Sequence, residues 1–174
     1  MLCVLAKLSD DATEKLNAIK GSAIPDNEGA KPLHGHITLA SYEGEDEAGF
    51  TRSCKELFKD IRHFDIRYEK MEIFEDPFVI VVKPERSETL SNMHQLITEK
   101  FNDSLNKWTK TGIWNPHTSL YAGSDPDFRD IFQKMADAFI PFTATVCRIE
   151  FSLVLENGYI IIDSIDLRPA ELPV

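Results

Sequence analysis

Two short stretches of the chain share a residue pattern that could move protons. One runs from His36 to Leu39 and the other from His117 to Leu120, and each reads histidine, any residue, a small hydroxyl residue, leucine. The second stretch lies in the other half of the chain. Because residues i and i+2 of an extended strand point to the same face, each stretch predicts an imidazole beside a hydroxyl. Two such strands facing one another would line a cleft with both pairs.

The residue types suit a displacement at phosphorus. Histidine has an unperturbed pKa of about 6.5, which favours proton transfer near neutral pH. One imidazole would take the proton of the attacking water or hydroxyl, and the other would protonate the leaving oxygen. Thr38 and Ser119 would donate hydrogen bonds to the non-bridging phosphate oxygens. We therefore predict His36 and His117 as catalytic and Thr38 and Ser119 as phosphate-binding, with no cofactor and no metal.

Three aromatic residues near the motifs are candidates for substrate contacts. Tyr121 follows Ser119 by two positions, so regular alternation predicts that its ring faces the cleft. Tyr42 lies six positions after His36 and has the same predicted orientation. Trp114 precedes the second motif and could stack on a nucleobase. Packing in the core is the alternative interpretation for each ring.

His34 lies two positions before His36 and is predicted on the same strand face. A His-x-His pair can ligate zinc, which leaves open a zinc hydrolase centred on His34 and His36. Asn115 occupies the equivalent position of the second motif, where a metal site repeated in both halves would need a ligand. We expect His34 to support His36 rather than to bind a metal.

Hydrophobic periodicity predicts alternating strands and helices around the motifs, and in residues 45–59 it places Phe50, Cys54, Leu57 and Phe58 on one apolar helix face. A bulge is predicted near residue 146, and Glu156-Asn157-Gly158 is typical of a hairpin turn. Asp125 and Pro126 predict the start of the last helix. The predicted strands cover residues 2–8, 34–42, 64–74, 78–82, 115–122, 142–155 and a segment after 158. The predicted helices cover residues 10–20, 45–59, 87–105 and a segment from 126. A loop is predicted over residues 21–33.

An internal repeat connects the two motifs. Laid over itself so that His36 falls on His117, the chain also matches elsewhere, with Phe50 on Ile131 and Ile80 on Ile161. Such a match, at an offset of about 81 residues, is typical of a duplication. It predicts an α+β fold in which residues 1–174 form one bilobal domain of two pseudo-symmetric lobes. Each lobe would be mainly antiparallel sheet covered by outer helices, with the motif strands at a central cleft.

The paired motifs and the closing hairpin resemble the 2H phosphoesterase family, which includes the bacterial 2'-5' RNA ligases, also called RNA 2',3'-cyclic phosphodiesterases. The resemblance covers essentially the whole chain and implies a LigT-like duplicated fold. It also implies His36 and His117 as acid and base and Thr38 and Ser119 as phosphate ligands. The implied substrates are 2',3'-cyclic phosphates of nucleosides or RNA, 2'-5' linkages and cyclic phosphates of ADP-ribose.

Composition limits the classes of binding partner and the cellular location that we expect for the chain. The net charge of −10 disfavours duplex nucleic acid, because non-specific affinity for nucleic acid depends on neutralising phosphates. We expect a small nucleotide or an RNA end as substrate. No run of residues is long and apolar enough for a membrane span. The three cysteines lack metal-type spacing, which favours reduced thiols, and Cys147 is predicted to be buried. These features predict a cytoplasmic protein, and we expect a monomer. A non-catalytic nucleotide-binding module is the alternative function.

Overall fold

The computed structural model describes residues 1–24, 31–123, 127–156 and 158–169. It is an α+β fold of seven strands and four helices in these ranges. The strands are β1 (Leu2–Leu8), β2 (His36–Tyr42), β3 (Phe64–Glu75), β4 (Phe78–Pro84), β5 (Thr118–Ala122), β6 (Phe142–Leu155) and β7 (Gly158–Asp166). The helices are α1 (Asp10–Gly21), α2 (Glu47–Phe58), α3 (Glu88–Phe101) and α4 (Phe128–Ala138).

One hydrogen-bonded sheet contains all the strands. Its order is β2-β1-β6-β3-β4-β5, with β7 paired to β6, and every pairing between these strands is antiparallel. The two motif strands β2 and β5 occupy opposite ends of this order. The internal repeat itself stays a prediction.

The sheet bends back so that its two ends meet. The side chain of Thr118 on β5 donates a hydrogen bond of 2.8 Å to the main-chain carbonyl of His36 on β2. Such a contact between strands at opposite ends of the order requires strong twist and curvature, which antiparallel sheets acquire from their right-handed strand twist. Curvature therefore brings the two motifs together.

The helices bury amphipathic stripes against the sheet. The predicted stripe of α2 is buried at Phe50, Cys54 and Phe58. Asp46 caps the helix, because its carboxylate accepts a hydrogen bond of 2.8 Å from the Gly49 amide. Such a cap satisfies one of the free amides of the first turn. The other buried helical residues are Ala12, Leu16, Ile19, Leu90, Met93, His94, Ile97, Thr98, Phe128 and Met135.

Some predicted details differ from the structure. The motif strand predicted over 115–122 begins at Thr118, so His117 precedes this strand rather than lying on it. The helix predicted to reach Leu105 ends at Phe101, because Leu105 instead pairs with Tyr42 through an isolated bridge at the end of β2. Cys147 is a free thiol but only half-buried, whereas a buried thiol was predicted.

The bulge predicted near residue 146 is present. The pairing between β1 and β6 shifts from Lys7 with Arg148 to Leu8 with Val146, which leaves Cys147 as the extra residue.

Some predicted features lie outside the described residues. These are Asp125 and Pro126, residues 25–30 of the predicted loop, and Asn157 of the hairpin turn. No helix within the described ranges has the length and apolar character needed to cross a membrane.

Candidate active site

The side chain of Thr118 joins the two motif strands. This hydroxyl donates to the His36 carbonyl, so the Tyr68 hydroxyl, 2.5 Å away, must donate to Thr118. Thr118 is 3% exposed and Tyr68 fully buried. The arrangement satisfies three buried polar groups at once and holds the backbone of one motif against the other.

Each motif presents its histidine and hydroxyl away from the core, as the alternation predicts. His36 and Thr38 are half-buried, whereas Ile37 and Leu39 are completely buried. In the second motif, His117 is half-buried and Ser119 is exposed, and Leu120 is buried. Trp114 adds a second link between the strands, since its indole N–H donates to the Thr38 carbonyl at 2.9 Å.

A bulge at the last residue of each motif reverses the alternation. In β2 the pairing shifts between Val4 and Leu5, which leaves Leu39 as the extra residue. In β5 it shifts between Ile80 and Val81, which leaves Leu120 as the extra residue. Bulges are common beside active sites because they redirect side chains.

The bulges overturn the predicted orientation of the two tyrosines. Tyr42 is 6% exposed and stacks on Phe50 of α2, with ring centroids 4.2 Å apart. Tyr121 packs toward Phe128 of α4 at 5.9 Å and pairs with Ile80, whereas Ser119 pairs with Val81. The prediction that Tyr121 shares a face with Ser119 is therefore wrong, and helix packing accounts for both rings.

The imidazole of His117 is oriented by the main chain. Its Nδ1 lies 2.7 Å from the Asn115 carbonyl, so Nδ1 carries a proton and donates it there. This leaves Nε2 as the exchangeable position in neutral His117. Phe74 packs edge-on against the ring at 4.8 Å. Burial lowers the pKa of His117, the positive charge of Lys83 acts in the same direction, and the bond to Asn115 opposes them.

His36 has a different environment. Its Nδ1 is buried and has no hydrogen-bond partner among the residues that the structure describes. Burial, reinforced by the neighbouring charge of His34, lowers the pKa of His36 to about 4. The charges of Lys7 and His117 act in the same direction on this pKa. His36 is therefore neutral near pH 7.

His34 lies before the strand rather than on it, because β2 begins at His36. Gly35 between them has a φ of 65°. Residues other than glycine rarely adopt this conformation. The His34 and His36 rings are nevertheless close, with centroids 5.6 Å apart. The Nε2 of His34 makes a short hydrogen bond to the carboxylate of Glu150. Within the described ranges, no three His, Cys, Asp or Glu side chains are grouped to hold a metal.

Sequence reasoning missed Glu150 and Tyr159. Glu150 alternates with the apolar residues of β6, and no sequence signal singled it out, yet it is 5% exposed. Tyr159 lies at the start of β7 and packs edge-on against His34 and His36, at 5.8 and 6.4 Å. The hairpin signal predicted that Tyr159 lies at the start of the last strand, but it did not predict that the ring packs against His34 and His36.

A cavity of about 290 Å³ adjoins the second motif. Thr38 and His117 contribute to its wall, beside Trp108, Trp114 and Asn115. Trp108 is 55% exposed, whereas Trp114 is half-buried and stacks on His94 with centroids 4.1 Å apart. Of the four predicted motif side chains, Thr38 and His117 therefore line this aromatic cavity.

Comparisons with known proteins identify the family of the chain. The family model of the 2'-5' RNA ligase superfamily matches residues 8–156. None of the curated proteins compared with the chain matches it.

Solved structures share the fold at low sequence identity. TT0787 of Thermus thermophilus has a TM-score of 0.67 and 17% identity, covering 98% of this chain and 99% of its own. E. coli LigT in apo form has a TM-score of 0.63 and 14% identity, covering 96% of each chain. E. coli LigT has also been solved with 3'-AMP, and that structure has a TM-score of 0.64 and 15% identity, with 95% of this chain and 97% of the other covered.

Proposed function

Because the chain belongs to the 2'-5' RNA ligase superfamily, we propose that it is a metal-independent phosphodiesterase that hydrolyses a 2',3'-cyclic phosphate or a 2'-5' phosphodiester of a nucleotide or RNA end. The observation that supports this most is the contact between the motif strands, in which Thr118 bonds to the His36 carbonyl. It joins a side chain of the second motif to the main chain of the first, while the histidine and hydroxyl side chains of both motifs are less buried than their leucines.

In the proposed reaction, water attacks phosphorus in line with the departing ribose oxygen. One histidine accepts the proton of the water as the new P–O bond forms. The other gives its proton to the ribose oxygen as the old P–O bond breaks. The base has then gained one proton and the acid has lost one, and exchange with solvent restores both. Thr38 and Ser119 donate hydrogen bonds to the non-bridging oxygens, where negative charge increases in the transition state.

The two histidines differ in a way that favours one assignment. An imidazolium at His117 keeps its Nδ1 proton bonded to the Asn115 carbonyl, so His117 suits the acid. His36, whose buried Nδ1 has no partner among the described residues, rests in the neutral form that can accept a proton. With its pKa lowered to about 4, His36 is neutral at working pH and suits the base.

The cavity beside His117 supports a nucleotide-like substrate. E. coli LigT has been solved with ATP, with NADP+ and with 3'-AMP, which are all nucleotides. In this chain the Trp108 ring could stack on a base, while the Asn115 side chain could bond to it. Stacking accepts every base, so we expect weak discrimination between bases.

Trp108→Ala is expected to raise the KM for 2',3'-cyclic AMP by about tenfold, because base–aromatic stacking contributes about 1–3 kcal/mol per base. The kcat should stay within about threefold, since the ring does not touch the reacting atoms. Steady-state kinetics measure both quantities. Ile113→Ala is the matched control, because Ile113 is 53% exposed on the same segment but does not line the cavity. An unchanged KM in Trp108→Ala would contradict this role.

The proposed activity is tested with the purified protein in EDTA. The panel contains the four 2',3'-cyclic nucleotides, a 2'-5'-linked dinucleotide and a cyclic phosphate of ADP-ribose, with products separated by chromatography. We expect turnover of at least one member, undiminished by the chelator. Binding without turnover would instead identify a nucleotide-binding module, and turnover that EDTA abolishes and zinc restores would identify a metal-dependent hydrolase.

A further inference from the structure

A lysine that the proposed reaction does not use lies on β4 beside the second motif. Val82 pairs with Thr118 on β5, so Lys83 and His117 occupy the next positions along the two antiparallel chains. Because side chains alternate along a strand, Lys83 points away from the core face that Val82 and Thr118 share. That opposite face also carries Ser119, and the Lys83 side chain is 18% exposed on it.

The first motif has a lysine at the corresponding place. Lys7 on β1 pairs directly with His36 on β2. Its ammonium donates to the His34 carbonyl at 2.5 Å and to the Thr13 hydroxyl at 3.2 Å. These bonds hold the chain before β2 against α1. Lys7 therefore uses its charge within the protein.

The ammonium of Lys83 is bound less fully than that of Lys7. Its ion-pair partner in the described part of the chain is Glu72 on β3, at 3.5 Å. The other oxygen of the same carboxylate lies 2.5 Å from the ammonium of Lys70. The hydrogen bond from Lys70 is the main reason that the pKa of Glu72 is below its usual value, and Lys83 contributes less. An ammonium has three N–H donors, so Lys83 keeps donors for an anion.

The strand pairing brings this ammonium within reach of the candidate site. Glu72 and Ser119 both pair with Val81, one from each side of β4, so the carboxylate that Lys83 contacts lies on the same cross-strand row as Ser119. Neighbouring strands are about 4.8 Å apart, a distance that the four-carbon stem of a lysine can cross. The charge of Lys83 also lowers the pKa of His117, as expected for a nearby cation.

A cation at this position suits the chemistry at phosphorus. A cyclic phosphodiester carries one negative charge, and attack by water increases the charge on the non-bridging oxygens in the transition state. The hydroxyl of Ser119 is a neutral donor, whereas an ammonium makes a charge-assisted hydrogen bond, which is roughly twice as strong.

We propose that Lys83 binds the substrate phosphate, exchanging its contact with Glu72 for a charge-assisted hydrogen bond to a non-bridging oxygen beside Ser119. Lys70 keeps Glu72 paired when Lys83 turns to the phosphate. The contribution of Lys83 to turnover rests on the proposed function. Its contribution to the binding of a phosphate group does not require turnover.

The binding test measures the Kd of 3'-AMP by isothermal titration calorimetry for the wild type, Lys83→Met and Lys83→Arg. Lys83→Met should weaken binding by about tenfold or more, because a charge-assisted bond is lost. Lys83→Arg keeps the charge and should stay within about threefold of the wild type. Glu72→Gln should strengthen binding by about threefold, because it removes the anion that competes with phosphate for Lys83.

Lys70→Met is the matched control. It removes the same charge beside the same carboxylate, from a side chain that is 63% exposed and one strand farther from the second motif. Its Kd for 3'-AMP should stay within about threefold of the wild type. In steady-state kinetics on 2',3'-cyclic AMP, Lys83→Met should lower kcat by about tenfold or more and raise KM less, since the added charge appears only in the transition state.

The outcomes separate this proposal from the proposed function. Equal affinity of the wild type and Lys83→Met for 3'-AMP would overturn the role of Lys83, and so would an equal loss in Lys70→Met or a wild type that does not bind 3'-AMP. If Lys83→Met does not fold, Glu72→Gln decides, since it keeps Lys83. Weaker 3'-AMP binding by Lys83→Met, in a protein that hydrolyses no cyclic nucleotide, would support the phosphate contact while removing the proposed function.

Discussion

His36→Ala and His117→Ala are each expected to lower kcat/KM on a 2',3'-cyclic nucleotide by about 10³-fold or more, since general acid and general base catalysis each contribute about 10²–10⁴-fold. The double variant should lose little more than either single variant, because the two groups act on one proton transfer sequence. Steady-state rates and circular dichroism measure activity and fold together. The buried Nδ1 of His36 has no hydrogen-bond partner among the described residues, so His36→Ala leaves no such partner unpaired.

The matched control for this pair is His63→Ala. His63 precedes β3 and its main-chain amide donates to the Arg168 carbonyl, a bond that the substitution keeps. Its rate should stay within about twofold of the wild type, because surface substitutions away from a site have small effects. Near-wild-type turnover in either motif variant would remove the two-histidine mechanism.

Thr118→Val is expected to reduce the free energy of unfolding by about 2 kcal/mol, because it leaves buried hydrogen-bonding groups of Tyr68 and His36 unpaired. It should also lower kcat/KM by about tenfold or more, since the bond to the His36 carbonyl is a direct tether between the motif strands. Urea denaturation measures the first effect and steady-state kinetics the second.

Thr118→Ser keeps the hydroxyl and is the control, with stability and activity expected close to the wild type. Adding Tyr68→Phe to Thr118→Val should recover part of the lost stability, because it removes the unpaired hydroxyl of Tyr68. The recovery should not extend to activity, since the His36 carbonyl still lacks the tether. Equal stability of Thr118→Val and the wild type would show that this bond does not hold the two ends of the sheet together.

Local patterns were sufficient to predict the elements and the motif residues. Alternation in residues 36–39 and 117–120 predicted which side chains leave the core, because side-chain direction in a strand depends only on parity. The stripe at Phe50, Cys54 and Phe58 predicted the buried face of α2, since helical spacing is equally local.

The errors arise where a long-range effect changes a local rule. Leu39 and Leu120 are ordinary strand residues by type, and only their pairing with β1 and β4 makes them bulges. That single extra residue in each strand turned Tyr42 and Tyr121 toward the helices. No sequence signal singled out Glu150, because alternation cannot tell whether a strand will be flanked on both edges.

The sequence by itself determined the class of fold, the positions of the strands and helices, and the two motifs at the candidate site. These depend on residue type and on spacing along the chain. Only the tertiary structure decided that the ends of the sheet meet, that Thr118 joins them, and that Glu150 and His34 stand beside His36. The reason is that sheet curvature and strand pairing depend on many weak contacts between residues that are distant in the chain, and a local sequence pattern does not contain these contacts.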